Sequence, residues 1–299
     1  MTQRLTPSTI AMLTLAPLLW AGNAVVGRMV VNLVPPITLN FLRWVLALVI
    51  LLPLARWVLA PGSGLWTHWR RFAVLGLLGV GLYNALQYMA LHTSTPLNVT
   101  LVASSLPLWM LLIGRVGFAT PVTRAQLIGA LLSMAGVAVV LARGDWTQLA
   151  RLRLVPGDVY MLAATFSWAL YSWLLARPDE PEPIRADWAA FLLAQIVFGL
   201  GWSGLMTAGE WALTDARIVW GWPLAAALLF VAIGPAVLAY RCWGLGVQRA
   251  GPALAGFFSN LTPVGAALLS TLLLGQAPQL YHATAFALIV AGIVVSARR

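Results

Sequence analysis

The chain has 299 residues, of which 61% are apolar and only 9% are charged, and its mean hydropathy is +0.88. Because a soluble domain carries about 25% charged residues, this composition excludes a soluble protein and predicts one that crosses a membrane several times. The formal net charge of +10 comes from 18 arginines without any lysine, scattered between apolar runs. Such basic residues orient membrane segments, so we expect no nucleic-acid partner.

A helix needs about 20 mostly apolar residues to cross a membrane, and ten stretches of the chain meet that requirement. Most connections between them are short and contain Pro, Gly or Arg. The N-terminal apolar run is longer than the core of a signal peptide, so we expect it to stay in the mature protein as the first span. The predicted spans cover residues 10–33, 37–57, 71–92, 96–118, 123–142, 157–177, 186–207, 219–243, 250–274 and 279–297.

The positions of the arginines predict the orientation of the chain. If the N-terminus is cytoplasmic, twelve arginines fall on the cytoplasmic side and four on the outer side, whereas Arg28 and Arg43 lie within spans. Cytoplasmic loops carry an excess of basic residues, so we expect both termini in the cytoplasm and the chain in a bacterial inner membrane. The connection 143–156 holds three of the four outer arginines and fits this orientation least well.

Prolines recur at a constant distance along the chain. Pro96 and Pro107 stand 156 residues before Pro252 and Pro263. Each half then contains five spans, and because five is odd the second half enters the membrane upside down relative to the first. We therefore predict an all-α membrane protein with ten transmembrane helices, built as two inverted five-helix repeats around a central cavity. The two repeats are residues 1–147 and 148–299.

Pro263 lies inside an apolar run that is long enough to cross the membrane as one helix. A proline removes one backbone hydrogen bond and crowds the carbonyl four residues earlier, here that of Ser259. Within a membrane, such a carbonyl is tolerated only where protein or water satisfies it. We predict that Pro263 and its counterpart Pro107 are hinges that flank the central site.

Several short motifs follow one another along the chain: Leu18-Leu19-Trp20-Ala21, Phe41-Leu42-Arg43, Ser167-Trp168-Ala169, Ala250-Gly251-Pro252-Ala253, Asn260-Leu261-Thr262-Pro263, Leu272-Leu273-Leu274-Gly275 and Ala291-Gly292. With these motifs the chain resembles, over its whole length, the EamA family of ten-helix exporters in the drug/metabolite transporter superfamily. The resemblance implies a transporter that exports small metabolites by alternating access. The tryptophan-rich helices look most like the aromatic amino-acid exporters of the YddG type, which implies aromatic and other neutral amino acids as substrates.

Polar and aromatic side chains inside the spans are the candidates for a substrate site. An unpaired amide in hydrocarbon is costly, so such residues either bond helices together or line a wet cavity. Aromatic walls can stack on apolar groups and face an amine, while amides bind the polar end of an amphipathic molecule. The predicted substrate-binding residues are Trp20, Asn23, Tyr83, Gln87, Trp109, Trp168, Tyr171, Tyr240 and Asn260.

Charged and titratable residues are scarce inside the spans. Arg28 and Arg43 could each meet a substrate carboxylate, or could reach an interface or backbone carbonyls instead. No Asp or Glu lies in the middle of a span, and His92 and His282 fall near helix ends. Proton-coupled transporters relay protons through buried acids or histidines, so we expect transport down the substrate gradient without a carboxylate relay.

Two alternatives stay open. A drug or nucleotide-sugar carrier would use the same fold. An intramembrane serine protease would use Ser203, within Gly201-Trp202-Ser203-Gly204, as its nucleophile and His282 as the base. The chain has no phosphate-binding loop, no metal-ligand cluster and one cysteine, so we predict no cofactor and no metal. We expect a monomer in the lipid bilayer that binds a small molecule and is not an enzyme.

Overall fold

A computed structural model describes residues 5–94, 96–142, 145–147, 151, 155–274 and 279–298 of the protein. These residues form helices and connections and contain no strand. Consecutive helical pieces within one apolar stretch share a label. The helices are α1 (Pro7–Met29), α2 (Pro36–Ala55), α3 (Trp69–Leu75, Gly76–Leu82 and Tyr83–Thr93), α4 (Pro96–Ala103 and Leu106–Gly117), α5 (Arg124–Ala142), α6 (Pro156–Ala176), α7 (Trp188–Leu213), α8 (Trp222–Val231, Ala232–Leu238 and Ala239–Ala250), α9 (Pro252–Phe258 and Leu261–Leu274) and α10 (Leu280–Ser296).

Within the described residues, eight helices are long and apolar enough to cross a membrane by length and composition, and these are α1 to α8. The apolar helix α10 is shorter, and α9 is interrupted. The helix ends differ from the predicted spans where capping decides them. Thr6 caps α1 by accepting a hydrogen bond from Thr9 N at 3.3 Å, so the helix begins earlier than predicted. It also ends earlier, at Met29. Gly251, at φ = 82°, ends α8 seven residues later than predicted.

Helices α3 and α8 each contain a stretch of π-helix. The stretches are Gly76–Leu82 and Ala232–Leu238, and their positions differ by 156, the distance that also separates the prolines. A π-turn is wider than an α-turn and commonly marks a functional site. In both stretches, backbone carbonyls bond to side chains of other helices: Leu78 O to Ser167 Oγ, Gly79 O to Tyr240 OH, Val80 O to Asn40 Nδ2 and Pro235 O to Trp20 Nε1.

Helices α4 and α9 are each broken in the middle, at residues 104–105 and 259–260. In both helices the proline falls in the first turn of the second piece, where the backbone N–H has no helical partner in any case. The prediction that Pro263 leaves the carbonyl of Ser259 without a donor is therefore wrong. That carbonyl accepts a hydrogen bond from Thr262 N at 3.0 Å.

Helices α5 and α10 pack together along their length through small residues. A Cβ atom added at Gly292 would lie 2.6 Å from the carbonyl oxygen of Gly129, and one added at Gly136 would lie 2.8 Å from that of Ala285. Between these two contacts the residue number rises by seven on α5 and falls by seven on α10, so the two helices are antiparallel. Adding 156 to 129 and to 136 gives 285 and 292, so each contact repeats the other in the opposite half.

Two acidic residues connect helix ends through hydrogen bonds and ion pairs. The carboxylate of Glu210, in the last turn of α7, accepts hydrogen bonds from the first turn of α2, including Thr38 N at 2.8 Å. The connection 177–185 is more structured than the charged turn that its sequence predicts. It leads into a short helix, Glu182–Ala186, and the buried carboxylate of Glu180 pairs with Arg71 and Arg185.

Candidate functional site

A cavity of about 430 Å³ lies between α1, α3, α4, α6 and α9. Its volume falls in the range of sites that hold small molecules. The wall combines apolar side chains with hydroxyls and amides, and none of the described residues that line it carries a charge. The lining residues are Trp20, Asn23, Val25, Met29, Tyr83, Asn84, Gln87, Leu91, Val99, Thr100, Ala103, Ser104, Leu106, Thr165, Trp168, Ser259, Asn260, Thr262, Pro263 and Ala266.

The cavity reaches the end of the molecule where α1 and α3 finish and α4 begins. Met29 is the last residue of α1 and is 73% exposed, and Leu91 and Val99 lie near the junction of α3 and α4. At the opposite end, Trp20 and Trp168 come from the middle of their helices. The cavity is thus a shaft that enters from one end of the helices and stops about halfway.

The shaft stops at a cluster of rings that we call the aromatic floor: Trp20, Trp168, Tyr171, Tyr240 and Trp243. Trp168 is central and 2% exposed, and its ring centroid lies 5.1 Å from that of Trp20 and 4.9 Å from that of Tyr171. The centroids of Tyr240 and Trp243 follow at 5.3 and 5.7 Å. Edge-on and tilted pairs at such distances are favourable because ring edges face ring faces. The floor closes the shaft with packed aromatic side chains.

A second and much smaller cavity, of about 20 Å³, lies on the other side of the floor. Tyr171 and Tyr240 line it together with Arg185, Arg241 and residues of α7 and α8, and it shares no lining residue with the shaft. The floor therefore separates a wide cavity at one end of the helices from a much smaller one at the other.

Arg43 of α2 is fully buried behind the wall of the shaft. Its Nη1 donates to Asn84 Oδ1 at 3.0 Å, and to Asn23 Oδ1 and Tyr88 OH at 3.4 Å. The hydrogen bonds that Arg43 forms with the described residues end on side chains and its guanidinium is buried, so the interpretation that it reaches an interface or backbone carbonyls is wrong. The side chain of Arg28 lies outside the described residues.

Two hydrogen bonds join positions that are 156 residues apart. Asn260 Nδ2 donates to the carbonyl oxygen of Ser104 at 3.4 Å, and also to Ser133 Oγ at 2.9 Å. Asn84 Nδ2 donates to Tyr240 OH at 3.4 Å. Ser104, Asn260 and Asn84 also line the shaft, so residues of its wall take part in both of these contacts.

The structure brings together seven of the eleven predicted site and hinge residues around the shaft. The remaining four lie elsewhere. Tyr171 and Tyr240 line the small cavity instead, since their rings pack beneath Trp168. Trp109 packs edge-on against Phe166 at 5.4 Å, and Pro107 follows a lining residue without lining the shaft itself. The seven that line the shaft are Trp20, Asn23, Tyr83, Gln87, Trp168, Asn260 and Pro263. Their contact with a substrate stays a prediction.

Sequence reasoning missed several polar residues of the wall, although signals for them exist. Asn84 and Ser104 each stand 156 residues before a predicted site residue, so the repeat distance indicates both. Thr165 lies one helical turn before Trp168 and therefore on the same face. The proposed nucleophile Ser203 is fully buried and accepts a hydrogen bond from Asn40 at 3.3 Å.

The arrangement that a serine protease needs is not formed by these residues. Ser203 lies on α7, which packs against α2 and α3, whereas His282 begins α10, which packs against α5. His282 Nδ1 accepts a hydrogen bond from Gln279 N, the residue before α10, at 3.0 Å. Among the described residues, no three His, Cys, Asp or Glu side chains come together as metal ligands would.

Comparison with known proteins finds relatives over most of the chain. A relative named aromatic amino acid exporter YddG, from Ancylobacter novellus, is 30% identical over 245 residues, which cover 80% of this chain and 80% of that protein. An uncharacterized inner membrane transporter YedA, from Escherichia coli strain K12, is 25% identical over 281 residues, covering 93% and 87%.

A solved crystal structure has the same fold, with a TM-score of 0.75 and 24% identity over 98% of this chain and 97% of that chain. The sequence matches the EamA-like transporter family over residues 7–142 and 155–298. These two stretches include nearly the whole chain, one in each half. The chain is a membrane transporter that belongs to the EamA-like transporter family.

Proposed function

We propose that this protein exports small metabolites, namely amino acids, aromatic and other neutral ones, across a bacterial inner membrane by alternating access. The observation that carries the proposal is the uncharged shaft of about 430 Å³, walled by rings and amides and closed by the aromatic floor. Rings stack on an aromatic or apolar side chain and can face an amine, while amides bind the polar end of an amino acid. The relatives named aromatic amino acid exporter and inner membrane transporter support the substrate class and the location.

The architecture belongs to the proposal: ten membrane helices in two inverted repeats, divided near residue 148, which lies with 149–150 outside the described residues. The π-stretches and the helix breaks recur about 156 residues apart, which supports a doubled unit. In two inverted repeats, contacts between matching positions would lie near the twofold axis that relates the repeats, and the Asn84–Tyr240 and Ser104–Asn260 bonds, 156 residues apart, support such an axis. Such an axis in the membrane plane would pass through the shaft and its floor.

The two unequal cavities support alternating access by a monomer. If both termini are cytoplasmic, the shaft opens to the outside, because α1 and α3 end at its mouth, and the small cavity faces the cytoplasm. Rocking of one half against the other would close the shaft and widen the small cavity. The breaks before Pro107 and Pro263 are the proposed hinges, and Asn260 bonds one break to the other.

The charges favour an uncoupled carrier of substrates without a phosphate. The described lining of the shaft has no cation that would hold a nucleotide sugar. All eight acidic residues are described, and each lies in a connection or within about one turn of a helix end, away from any central relay. Transport would therefore run down the substrate gradient.

Counterflow into proteoliposomes tests the proposal with labelled tryptophan, phenylalanine, threonine and methionine against the unlabelled compound inside. We expect saturable uptake, fastest for the aromatic pair, and a loss of about fivefold or more in Trp20→Ala because one stacking surface is removed. Trp222→Ala is the matched control, since Trp222 is 82% exposed. Uptake of labelled UDP-glucose without any of the four amino acids would contradict the substrate class. A substrate-linked pH change that is lost in His282→Gln would contradict the uncoupled mechanism.

A further inference from the structure

Arg43 is a buried cation, and the described residues give it no counter-ion. Its side chain is fully buried, and its Nε and Nη2 atoms have no hydrogen-bond partner among the described residues. The ion pairs that the structure forms join Arg71 and Arg185 to acids in the connection after α6, and none reaches Arg43. A buried charge of this kind is costly unless another group compensates it. The hydrogen bonds of Nη1 and the ring of Trp44, whose centroid lies 5.0 Å from the guanidinium carbon, compensate part of this charge, and the described residues supply no anion for the rest.

The groups in front of Arg43 face the shaft. Its Nη1 holds the amide oxygens of Asn23 and Asn84, at 3.4 and 3.0 Å, and both residues line the cavity. Asn23 Oδ1 also accepts from Tyr88 OH at 3.0 Å. Because its oxygen accepts two hydrogen bonds, Asn23 directs its Nδ2 away from Arg43. The described residues offer that nitrogen no acceptor. The wall thus presents an N–H donor backed by a positive charge.

We propose that this part of the wall is a carboxylate subsite, in which Asn23 donates to the substrate carboxylate and Arg43 acts behind it as the positioning residue. The inference rests on the proposed function and adds the basis of substrate choice. A negative group that enters the shaft supplies the missing counter-charge in a medium of low dielectric constant. A positive amine of the same size meets the opposite field. The aromatic floor is then left to receive the side chain.

The test compares two ligands of the same shape, L-phenylalanine and L-phenylalaninamide, on the full-length protein in detergent. Dissociation constants come from quenching of intrinsic tryptophan fluorescence. We expect wild type to bind the acid about tenfold more tightly than the amide, and Arg43→Gln to bring the ratio close to one. Arg43→Lys, which keeps the charge, is expected to restore part of the preference.

Two further variants separate recognition from folding. Ser203→Ala removes a buried hydroxyl that accepts from Asn40 away from the shaft, and should leave the ratio unchanged. Asn23→Leu removes the donor while the cation stays, and should abolish the preference even if Arg43→Gln does not fold. An unchanged ratio in Asn23→Leu or in folded Arg43→Gln would overturn the subsite.

The outcome also distinguishes this inference from the proposed function. Wild type that exchanges amino acids in counterflow, yet binds acid and amide equally, would refute the carboxylate subsite alone. Wild type that neither exchanges amino acids nor binds either ligand would refute the proposed function and the subsite with it.

Discussion

Truncation of Trp168 to alanine tests the aromatic floor most directly. The side chain is 2% exposed and has ring neighbours in Trp20, Tyr83 and Tyr171 with centroids 4.9 to 5.1 Å away, besides two more within 5.7 Å. Each aromatic pair contributes about 0.5–1.5 kcal/mol, and pairs that share one ring do not add fully. We therefore expect a loss of about 3–5 kcal/mol in the free energy of unfolding, as for other buried Trp→Ala changes.

The same truncation would also join the shaft to the small cavity, because Trp168 lies between them. Proteoliposomes should then release phenylalanine at a rate that no longer saturates with its concentration, whereas wild type should show saturation. The unfolding free energy is measured by denaturant titration in mixed micelles. Trp168→Phe keeps a ring and should recover most of both losses. A loss below about 1 kcal/mol together with saturable release would refute the floor as a seal.

Three other changes test features of the fold. Pro263→Ala restores an N–H in the first turn of the second piece of α9, which favours a continuous helix, so counterflow per folded molecule should slow while folded yield stays near wild type. Glu210→Gln weakens the charged cap on α2 and should lower the free energy of unfolding by about 1–2 kcal/mol. Gly292→Ala places a Cβ 2.6 Å from the carbonyl oxygen of Gly129, which must separate α5 from α10 and should cost about 1–3 kcal/mol, whereas Gly244→Ala meets open space and should be neutral or stabilising.

Each of these three has an outcome that would contradict it. If folded yield collapses in Pro263→Ala while the remaining protein transports normally, the proline is structural and the hinge is wrong. Glu210→Gln is compared with Glu182→Gln, which lies at an exposed helix start, and equal effects on the unfolding midpoint would mean that the cap contributes nothing special. A Gly292→Ala protein as stable as Gly244→Ala would mean that the close contact of the two helices is absent.

Much of the fold follows from the length of the apolar runs and from the prolines and glycines that end them. The spans of α2, α5 and α6 were predictable to within a few residues because each is one apolar run between strong helix breakers. Trp20 and Trp168 were predictable as site residues because they are paired tryptophans deep in two opening helices. Such signals are local, and they need no knowledge of which helices touch.

The remaining features depend on contacts that helical spacing cannot reveal. Tyr171 lies one turn beyond Trp168, on the same face but on the far side of the floor, so its face alone gave the wrong cavity. Tyr240 follows a π-stretch, across which a 3.6-residue period loses its phase. The bonds between Arg43 and its two amides join three helices, and only the packed structure identifies Asn84 as a partner.

The π-stretch in α3 sets the angular position of one wall of the shaft. A π-turn holds about one residue more than an α-turn, and successive residues of an α-helix are about 100° apart, so an α-helical conformation of the same residues Gly76–Leu82 would turn the rest of the helix by that angle. Tyr83 and Gln87 would rotate out of the shaft, and Asn84 would lose its alignment with Arg43 and Tyr240. The backbone conformation of this turn thus decides which side chains face the shaft, although none of its own residues lines it.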